Sequence, residues 1–230
     1  MEGINGFLEG NELFRKSYFR KHECELLDLV QQGQQPKALF ISCADSRVLP
    51  SLITGATPGE LFTLCNVGNF VAPYQPDEDY HAMAAGIEYA VNALCVPEII
   101  VCGHTHCGAI AALYDGVPEG EGFVHTQKWL TLGMRAKAMA TLALGKDAER
   151  QALLALTEKL SLLIQIENLL TYPYVKEKVQ AGTLHLHGWL YNMETGTIEY
   201  YDPEEHDFFA LEREQQTETG QGKKAGCEGA

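Results

Sequence analysis

The chain has 230 residues, of which 46% are hydrophobic and 21% are charged, and its formal net charge is −14. This length and composition are typical of a globular protein with a sizeable core. The surplus of negative charge disfavours nucleic acid and anionic membranes as general partners, because both would repel it. The sequence has neither an apolar run of the roughly 18 residues that a membrane span needs nor a signal-peptide pattern, so we expect no membrane insertion and a cytoplasmic location.

Short β-rich runs alternate with helical patterns along the chain. Four runs bounded by Pro, Gly or Asn predict strands, over residues 38–43, 61–65, 98–102 and 184–190. Three of them are almost continuously apolar, as strands covered on both faces are. Strands that alternate with helices predict an α/β fold with a mostly parallel sheet flanked by helices.

Two helices stand out between these strands. The first follows the second strand and has apolar residues at steps of four and three, with Asp77 as its predicted N-cap. Its apolar positions are Tyr80, Ala84, Ile87, Val91 and Leu94. The second runs from about residue 148 to 171, and Pro173 marks its end. Its predicted buried stripe is Leu153, Leu156, Leu160, Leu163 and Leu170.

Cysteines are scattered through this pattern. Their number, seven, is odd, and a chain of this length does not need disulfide bonds to fold, so we expect free thiols or metal ligands. They are Cys24, Cys43, Cys65, Cys95, Cys102, Cys107 and Cys227.

Two strand ends carry residues that suit a metal. The first strand ends in Cys43-Ala-Asp45-Ser-Arg47, and the third is followed by His104-Thr-His-Cys107-Gly108. In α/β sheets, ligands bind beyond the carboxyl ends of the strands, so these segments should meet. Two thiolates and an imidazole suit Zn²⁺, and three protein ligands are typical of a catalytic site with an open position. The alternative is that each cysteine is a small buried hydrophobe and the histidine a structural residue.

Asp45 and Arg47 adjoin the first of these cysteines. The Arg47 guanidinium offers two parallel hydrogen bonds that would hold Asp45 ionised and directed at a water on the zinc. Without the neighbouring cysteine, the pair would be interpreted as an ordinary loop salt bridge.

These motifs, in this order, resemble the β-class carbonic anhydrases. The two strand-end segments are similar to the zinc signature of that family, and further family-like segments follow between Phe14 and Phe209. They are Pro58-Gly-Glu-Leu-Phe62, Asn66-Val-Gly-Asn69, Ile87-Glu-Tyr-Ala90, Asn168-Leu-Leu-Thr-Tyr-Pro173 and His187-Gly-Trp189.

The resemblance implies a Rossmann-like fold with an N-terminal helical arm, assembled as a dimer or a multiple of dimers. We expect one catalytic domain over residues 1–211 and a polar, disordered tail over residues 212–230. Association with an organelle or a carboxysome stays open.

The resemblance also implies the activity, which is the reversible hydration of CO2 to bicarbonate and a proton. One Zn²⁺ per subunit would be held by Cys43, His104 and Cys107. Its hydroxide, oriented by Asp45 and Arg47, would attack the CO2 carbon.

Substrate-binding residues are implied by the same resemblance. Gln34 and the backbone N–H of Gly108 would hold substrate oxygens. Phe62, Val67 and Tyr89 match positions that line the pocket, typically from the partner subunit.

The sequence departs from the family at Cys65, where an arginine is usual. Some members have a bicarbonate regulatory site at the positions of Phe40, Cys65 and Tyr191, and we do not expect one here. We favour a zinc with a bound water over one to which Asp45 binds. Two alternatives stay open: hydrolysis of carbonyl sulfide or carbon disulfide at the same zinc, and a zinc-stabilised structural subunit. His106 is an extra histidine that either assists proton transfer or is an ordinary loop residue.

Overall fold

The computed structural model describes residues 2–118 and 120–210, so the tail predicted over residues 212–230 lies outside the described part. The described residues form two compact units, residues 2–35 and residues 36–210. The single catalytic domain over residues 1–211 stays a prediction. In the part that is described, no helix has the length and apolar character that crossing a membrane requires.

The first unit is helical, as the family resemblance predicts. It consists of α1 (Glu2–Phe14), a π-helical turn (Arg15–Phe19) and α2 (Glu23–Gln32). Large apolar side chains on these helices are exposed, among them Ile4, Phe7, Leu8, Leu13 and Val30.

The second unit is built on a six-stranded sheet. Its strands are β1 (Ala38–Cys43), β2 (Leu61–Asn66), β3 (Glu98–His104), β4 (His185–Tyr191), β5 (Ile198–Asp202) and β6 (Asp207–Ala210). The spatial order is β2-β1-β3-β4-β5-β6, in which β2, β1, β3 and β4 are parallel and β5 and β6 add antiparallel pairs. The four predicted strands and the mostly parallel α/β sheet are confirmed, and the sequence analysis missed β5 and β6.

Seven helices accompany this sheet among the described residues. They are α3 (Pro50–Thr54), α4 (Ala82–Glu88), α5 (Gly108–Asp115), α6 (Val124–Leu130), α7 (Met134–Leu144), α8 (Arg150–Leu169) and α9 (Pro173–Gln180). A π-helical turn, Tyr89–Ala93, continues α4. One sheet face packs with α4, α8 and α9, and its fully buried side chains include Leu39, Ile41, Ile99 and Val101. The opposite face buries Phe40, Ile100 and Cys102, which explains the continuous apolar runs in β1 and β3.

The functional residues lie where the strand order reverses. The chain runs from β1 to β2 on one side and then crosses to β3 on the other, so the carboxyl ends of β1 and β3 leave a crevice between them. Ser42 is in register with Cys102, which brings Cys43 and His104 to the same rim of the sheet.

Two expectations about the helices are wrong. Asp77 does not cap the first predicted helix, because α4 begins at Ala82 and Asp77 instead accepts hydrogen bonds from the Asp79 N–H and the His81 ring. Tyr80, assigned to the apolar stripe, is fully exposed.

The buried face of α8 also differs from the predicted leucine stripe. Thr157 and Gln165 are fully buried, whereas Leu170 is exposed. The polar side chains are buried because they have partners: the Thr157 and Tyr114 hydroxyls lie 2.7 Å apart, and Gln165 Oε1 accepts the Val71 N–H at 2.8 Å. Leu153 of the predicted stripe is buried, as are Leu162 and Leu169, so hydrophobicity alone identifies only part of the buried face.

Candidate metal centre

Three potential metal ligands converge at the rim between β1 and β3. Cys43 ends β1, His104 ends β3, and Cys107 precedes the first residue of α5. All three are buried, and their ligand atoms lie within 4.8 Å of one another. The predicted Cys/His/Cys set is therefore brought together from segments about sixty positions apart in the sequence.

The His104 ring has the orientation that a metal ligand needs. Its Nδ1 lies 2.9 Å from the Thr105 carbonyl oxygen. A carbonyl can only accept, so Nδ1 carries the proton and Nε2 carries the lone pair. His104 Nε2 is buried without a hydrogen-bond partner in the described structure. A buried polar atom left in this state costs about 1–3 kcal/mol, and a metal ion at the cluster would satisfy it.

The contact between the two thiols favours ionisation of one of them, Cys43. The Cys43 pKa is lowered to about 4, mainly because the Cys107 thiol hydrogen-bonds it, and the Gly68 N–H assists at 3.4 Å from Cys43 Sγ. The Cys107 pKa is raised because its proton is shared with Cys43. The contact between the two thiols thus favours the Cys43 thiolate. Thiolate and imidazole ligands fit Zn²⁺.

Gly68 allows this close approach of the backbone to Cys43. Its φ is +82°, and an added Cβ would lie 2.9 Å from both the Ala109 Cβ and the Phe70 ring. No other residue type fits this position without displacing its neighbours.

Asp45 and Arg47 form the predicted forked pair. Arg47 Nε–H donates to Asp45 Oδ1 at 2.9 Å and Nη2–H donates to Oδ2 at 2.7 Å, while the Arg47 backbone N–H reaches Oδ1 at 3.0 Å. The Arg47 side chain holds the Asp45 pKa well below its usual range. Asp45 is therefore a carboxylate, able only to accept, at every pH at which the protein would work.

A buried carboxylate that the sequence analysis missed supports the ligand loop. Glu158 Oε1, on α8, accepts the Cys107 N–H at 3.1 Å, and burial raises the Glu158 pKa. Thr157, Ser161 and Gln165 form a polar stripe at steps of four beside it. That stripe is the sequence signal that could have identified the buried face.

The other predicted site residues occupy different places. Gly108 begins α5 directly after Cys107, so its N–H is one of the first-turn amides that find no acceptor inside a helix. Gln34 follows α2 in the N-terminal unit. Their substrate roles stay predictions.

The three predicted pocket residues lie in or after β2 and α4. Phe62 is in this strand, Val67 follows it directly, and Tyr89 begins the π-helical turn after α4. The Phe62 and Tyr89 ring centroids are 5.8 Å apart, and Val67 and Tyr89 are exposed.

Cys65 takes no part in the cluster. It is in register with Ser42, and its Sγ lies 3.3 Å from the Ser42 hydroxyl oxygen. Because side chains alternate along a strand, Ser42 and Cys65 face the side of the sheet opposite to Cys43. Phe40 and Cys102 share that side.

The comparison with known families agrees with this geometry. The sequence model of the carbonic anhydrases matches residues 38–198, which include the three ligands, Asp45 and Arg47. The chain belongs to the carbonic anhydrase family. Among family members, the carbonic anhydrase of Synechocystis sp. is 38% identical over 205 residues, covering 88% of this chain and 73% of that protein. The Pseudomonas aeruginosa carbonic anhydrase is 36% identical over 213 residues and is matched over 90% of each chain.

Solved structures identify the class within the family. The β-carbonic anhydrase CcaA has a TM-score of 0.83 and 36% identity, covering 93% of this chain and 94% of the other. A structure from a study of two tetrameric β-carbonic anhydrases of Sordaria macrospora has a TM-score of 0.77 and 26% identity. The match covers 87% of this chain and 97% of the other. The β-class, the α/β fold and the Cys43/His104/Cys107 site predicted from the sequence are thereby confirmed.

Proposed function

We propose that this β-class carbonic anhydrase hydrates CO2 reversibly, to bicarbonate and a proton, at one Zn²⁺ per subunit held by Cys43, His104 and Cys107. The observation that carries the proposal is the buried ligand cluster with its unpartnered His104 Nε2. When bound, Zn²⁺ supplies the Lewis acidity that lets a water lose its proton at about pH 7.

Asp45 orients the reacting water. Since it can only accept, it binds an O–H of that water and turns the remaining lone pair toward the CO2 carbon. Arg47 fixes the direction of the carboxylate through the two parallel bonds. Oδ1 accepts two bonds from Arg47 and Oδ2 accepts one, which leaves Oδ2 able to accept the O–H of the water. Because Arg47 holds both oxygens, the proposed arrangement keeps Asp45 off the metal and leaves the fourth position to water.

The substrate pocket takes residues from two subunits. Phe62 is in register with Leu39, four residues before the Cys43 rim, and is therefore about 13 Å from it along the strand. Phe62 and Tyr89 then line the pocket of a partner subunit rather than their own. Val67 and the Gly108 N–H complete a small site for an uncharged, linear substrate, and the role of Gln34 as a holder of substrate oxygens stays a prediction.

A dimer, or a multiple of dimers, is the proposed assembly. Strand β2 lies at an edge of the sheet, where its backbone can pair with a second chain. The exposed apolar side chains of α1 also favour burial against a partner.

Hydrolysis of carbonyl sulfide or carbon disulfide has no comparable support. Cys65, the residue that suggested it, faces the other side of the sheet. The family assignment also favours an enzyme over a structural zinc subunit.

The test is stopped-flow measurement of the pH change after the zinc-loaded protein is mixed with dissolved CO2. We expect a large acceleration over buffer, which Cys43→Ser abolishes together with bound zinc. A zinc-loaded protein that does not accelerate the reaction contradicts the proposal.

A further inference from the structure

The loop between the two ligands on β3 and α5 is tied to the turn between β4 and β5, here called the 192–197 turn. Each residue from 104 to 106 makes a hydrogen bond or a side-chain contact with residues 191–194. The Thr105 N–H donates to the Tyr191 carbonyl at 3.0 Å, and the Met193 N–H donates to the Thr105 hydroxyl oxygen at 3.0 Å. The first bond continues the pairing of β3 with β4 beyond the strand ends, and the second ties the turn to the Thr105 side chain.

Met193 contacts the zinc ligand itself. Its Sδ lies 3.0 Å from His104 Nδ1, the nitrogen that also donates to the Thr105 carbonyl. A thioether sulfur is a weak acceptor, so the Nδ1 proton is shared between an oxygen and a sulfur. Together the two acceptors fix the rotation of the imidazole, and with it the direction of the Nε2 lone pair.

Glu194 contacts the residue between the two ligands. Its Oε1 lies 3.1 Å from His106 Nε2. His106 has a φ of +58°, a conformation that non-glycine residues rarely adopt. This turn of the backbone carries the chain from His104 on the sheet rim to Cys107, so the His106 conformation sets the distance between the two ligands. Arg47 Nη2–H also donates to the His106 carbonyl, at 3.4 Å.

We propose that Met193 and Glu194 are positioning residues for the metal centre. Met193 orients the His104 imidazole, and Glu194 holds the backbone conformation that places Cys107 opposite it. The proposal rests on the zinc site proposed above. It assigns a role to the 192–197 turn, which is about 90 positions away from the ligands in the sequence.

The experiment compares the zinc affinity of two variants, Met193→Leu and Glu194→Ala, with that of the wild type. Leucine keeps the approximate volume of methionine and removes the sulfur. Zinc affinity is measured by competition with a chelator, and the ligand geometry is followed in the cobalt-substituted proteins by their thiolate-to-cobalt and d–d absorption bands. We expect Met193→Leu to bind zinc about tenfold more weakly, and Glu194→Ala, whose contact with His106 is exposed, to bind it more weakly by a smaller factor; both should shift the cobalt bands. Glu194→Gln, which keeps an oxygen acceptor, should restore most of the affinity.

Matched controls separate positioning from general destabilisation. Met139→Leu on α7 and Glu204→Ala in the turn between β5 and β6 make the same chemical changes away from the centre, and we expect wild-type affinity and spectra from both. Thermal unfolding of the zinc-free variants reports the stability of the fold without the metal.

Unchanged affinity and unchanged cobalt spectra in both variants overturn the proposal. So do affinity losses that the two control variants reproduce, or losses that accompany an equal fall in the stability of the zinc-free protein. The proposed function is judged separately, by whether the wild-type zinc enzyme hydrates CO2.

Discussion

Replacement of Asp45 by asparagine tests the catalytic arrangement most directly. The substitution keeps the size of the side chain but turns one oxygen into an NH2 group. The Arg47 side chain presents two N–H donors to this group, one to each oxygen, so the amide can accept only one of these two side-chain bonds. The remaining Arg47 N–H then faces the NH2 group of the asparagine, and because both are donors the asparagine side chain must rotate away from the present direction of Asp45.

The expected loss follows from this geometry. The asparagine is no longer held in a fork, and its NH2 cannot accept the O–H of the reacting water. Misplacing a reacting group by about 1 Å costs about a hundredfold in rate, and loss of a positioned acceptor costs a similar factor. We therefore expect kcat/KM for CO2 hydration to fall about a hundredfold or more, with zinc content unchanged because Asp45 is not a ligand.

Stopped-flow hydration assays and elemental analysis measure both quantities. Asp115→Asn is the matched control, because Asp115 forms an exposed ion pair with Arg150 at the end of α5 that is opposite to Cys107, and it should keep full activity. The activity loss of Asp45→Asn should also be constant across neutral and alkaline pH, since the wild-type Asp45 pKa lies well below that range. Wild-type kcat/KM in Asp45→Asn would refute the role given to this carboxylate, and loss of zinc would make Asp45 a ligand.

Three further expectations concern the metal, the loop and pH. Elemental analysis should find no bound zinc in Cys43→Ser, because a ligand is removed. The control Cys95→Ser changes an exposed thiol outside the cluster and should keep its zinc. Full zinc content in Cys43→Ser refutes the ligand assignment. Gly68→Ala should lower the free energy of unfolding by about 2 kcal/mol or more, because its Cβ meets two side chains. Gly55→Ala has a similar positive φ in open space, so equal losses in urea titrations would contradict the packing argument. Finally, Lys37 and Thr57 lower the Glu60 pKa to about 2, so Glu60 stabilises the fold above the usual carboxyl pKa, and this contribution fades as the pH falls. The difference in unfolding free energy between wild type and Glu60→Gln should therefore stay constant from pH 7 down to the usual carboxyl pKa, about 4.5, and shrink as the pH falls from there toward about 2; a difference that does not shrink over that range contradicts the assignment.

Much of the fold could be predicted because the decisive signals are local. An apolar run such as 38–43 is covered on both faces, and Pro, Gly or Asn bounds each strand. The missed strands β5 and β6 are half-buried or exposed, and β5 mixes Glu and Asp with its aromatic residues. The polar part of the buried face of α8 could not be predicted from its leucines, because Thr157 and Gln165 are buried by specific hydrogen bonds rather than by hydrophobicity.

The sequence by itself determined the metal ligands and their partners. Cys43, Asp45 and Arg47 lie within five positions of one another, and parallel strands deliver their carboxyl ends to one rim whatever the rest of the chain does. Only the tertiary structure decided which residues hold those ligands in place. Glu158, Met193 and Glu194 reach the Cys107 loop from 51 to 89 positions away. No periodicity or spacing connects residues so far apart, because their contact depends on how α8 and the 192–197 turn pack against the sheet.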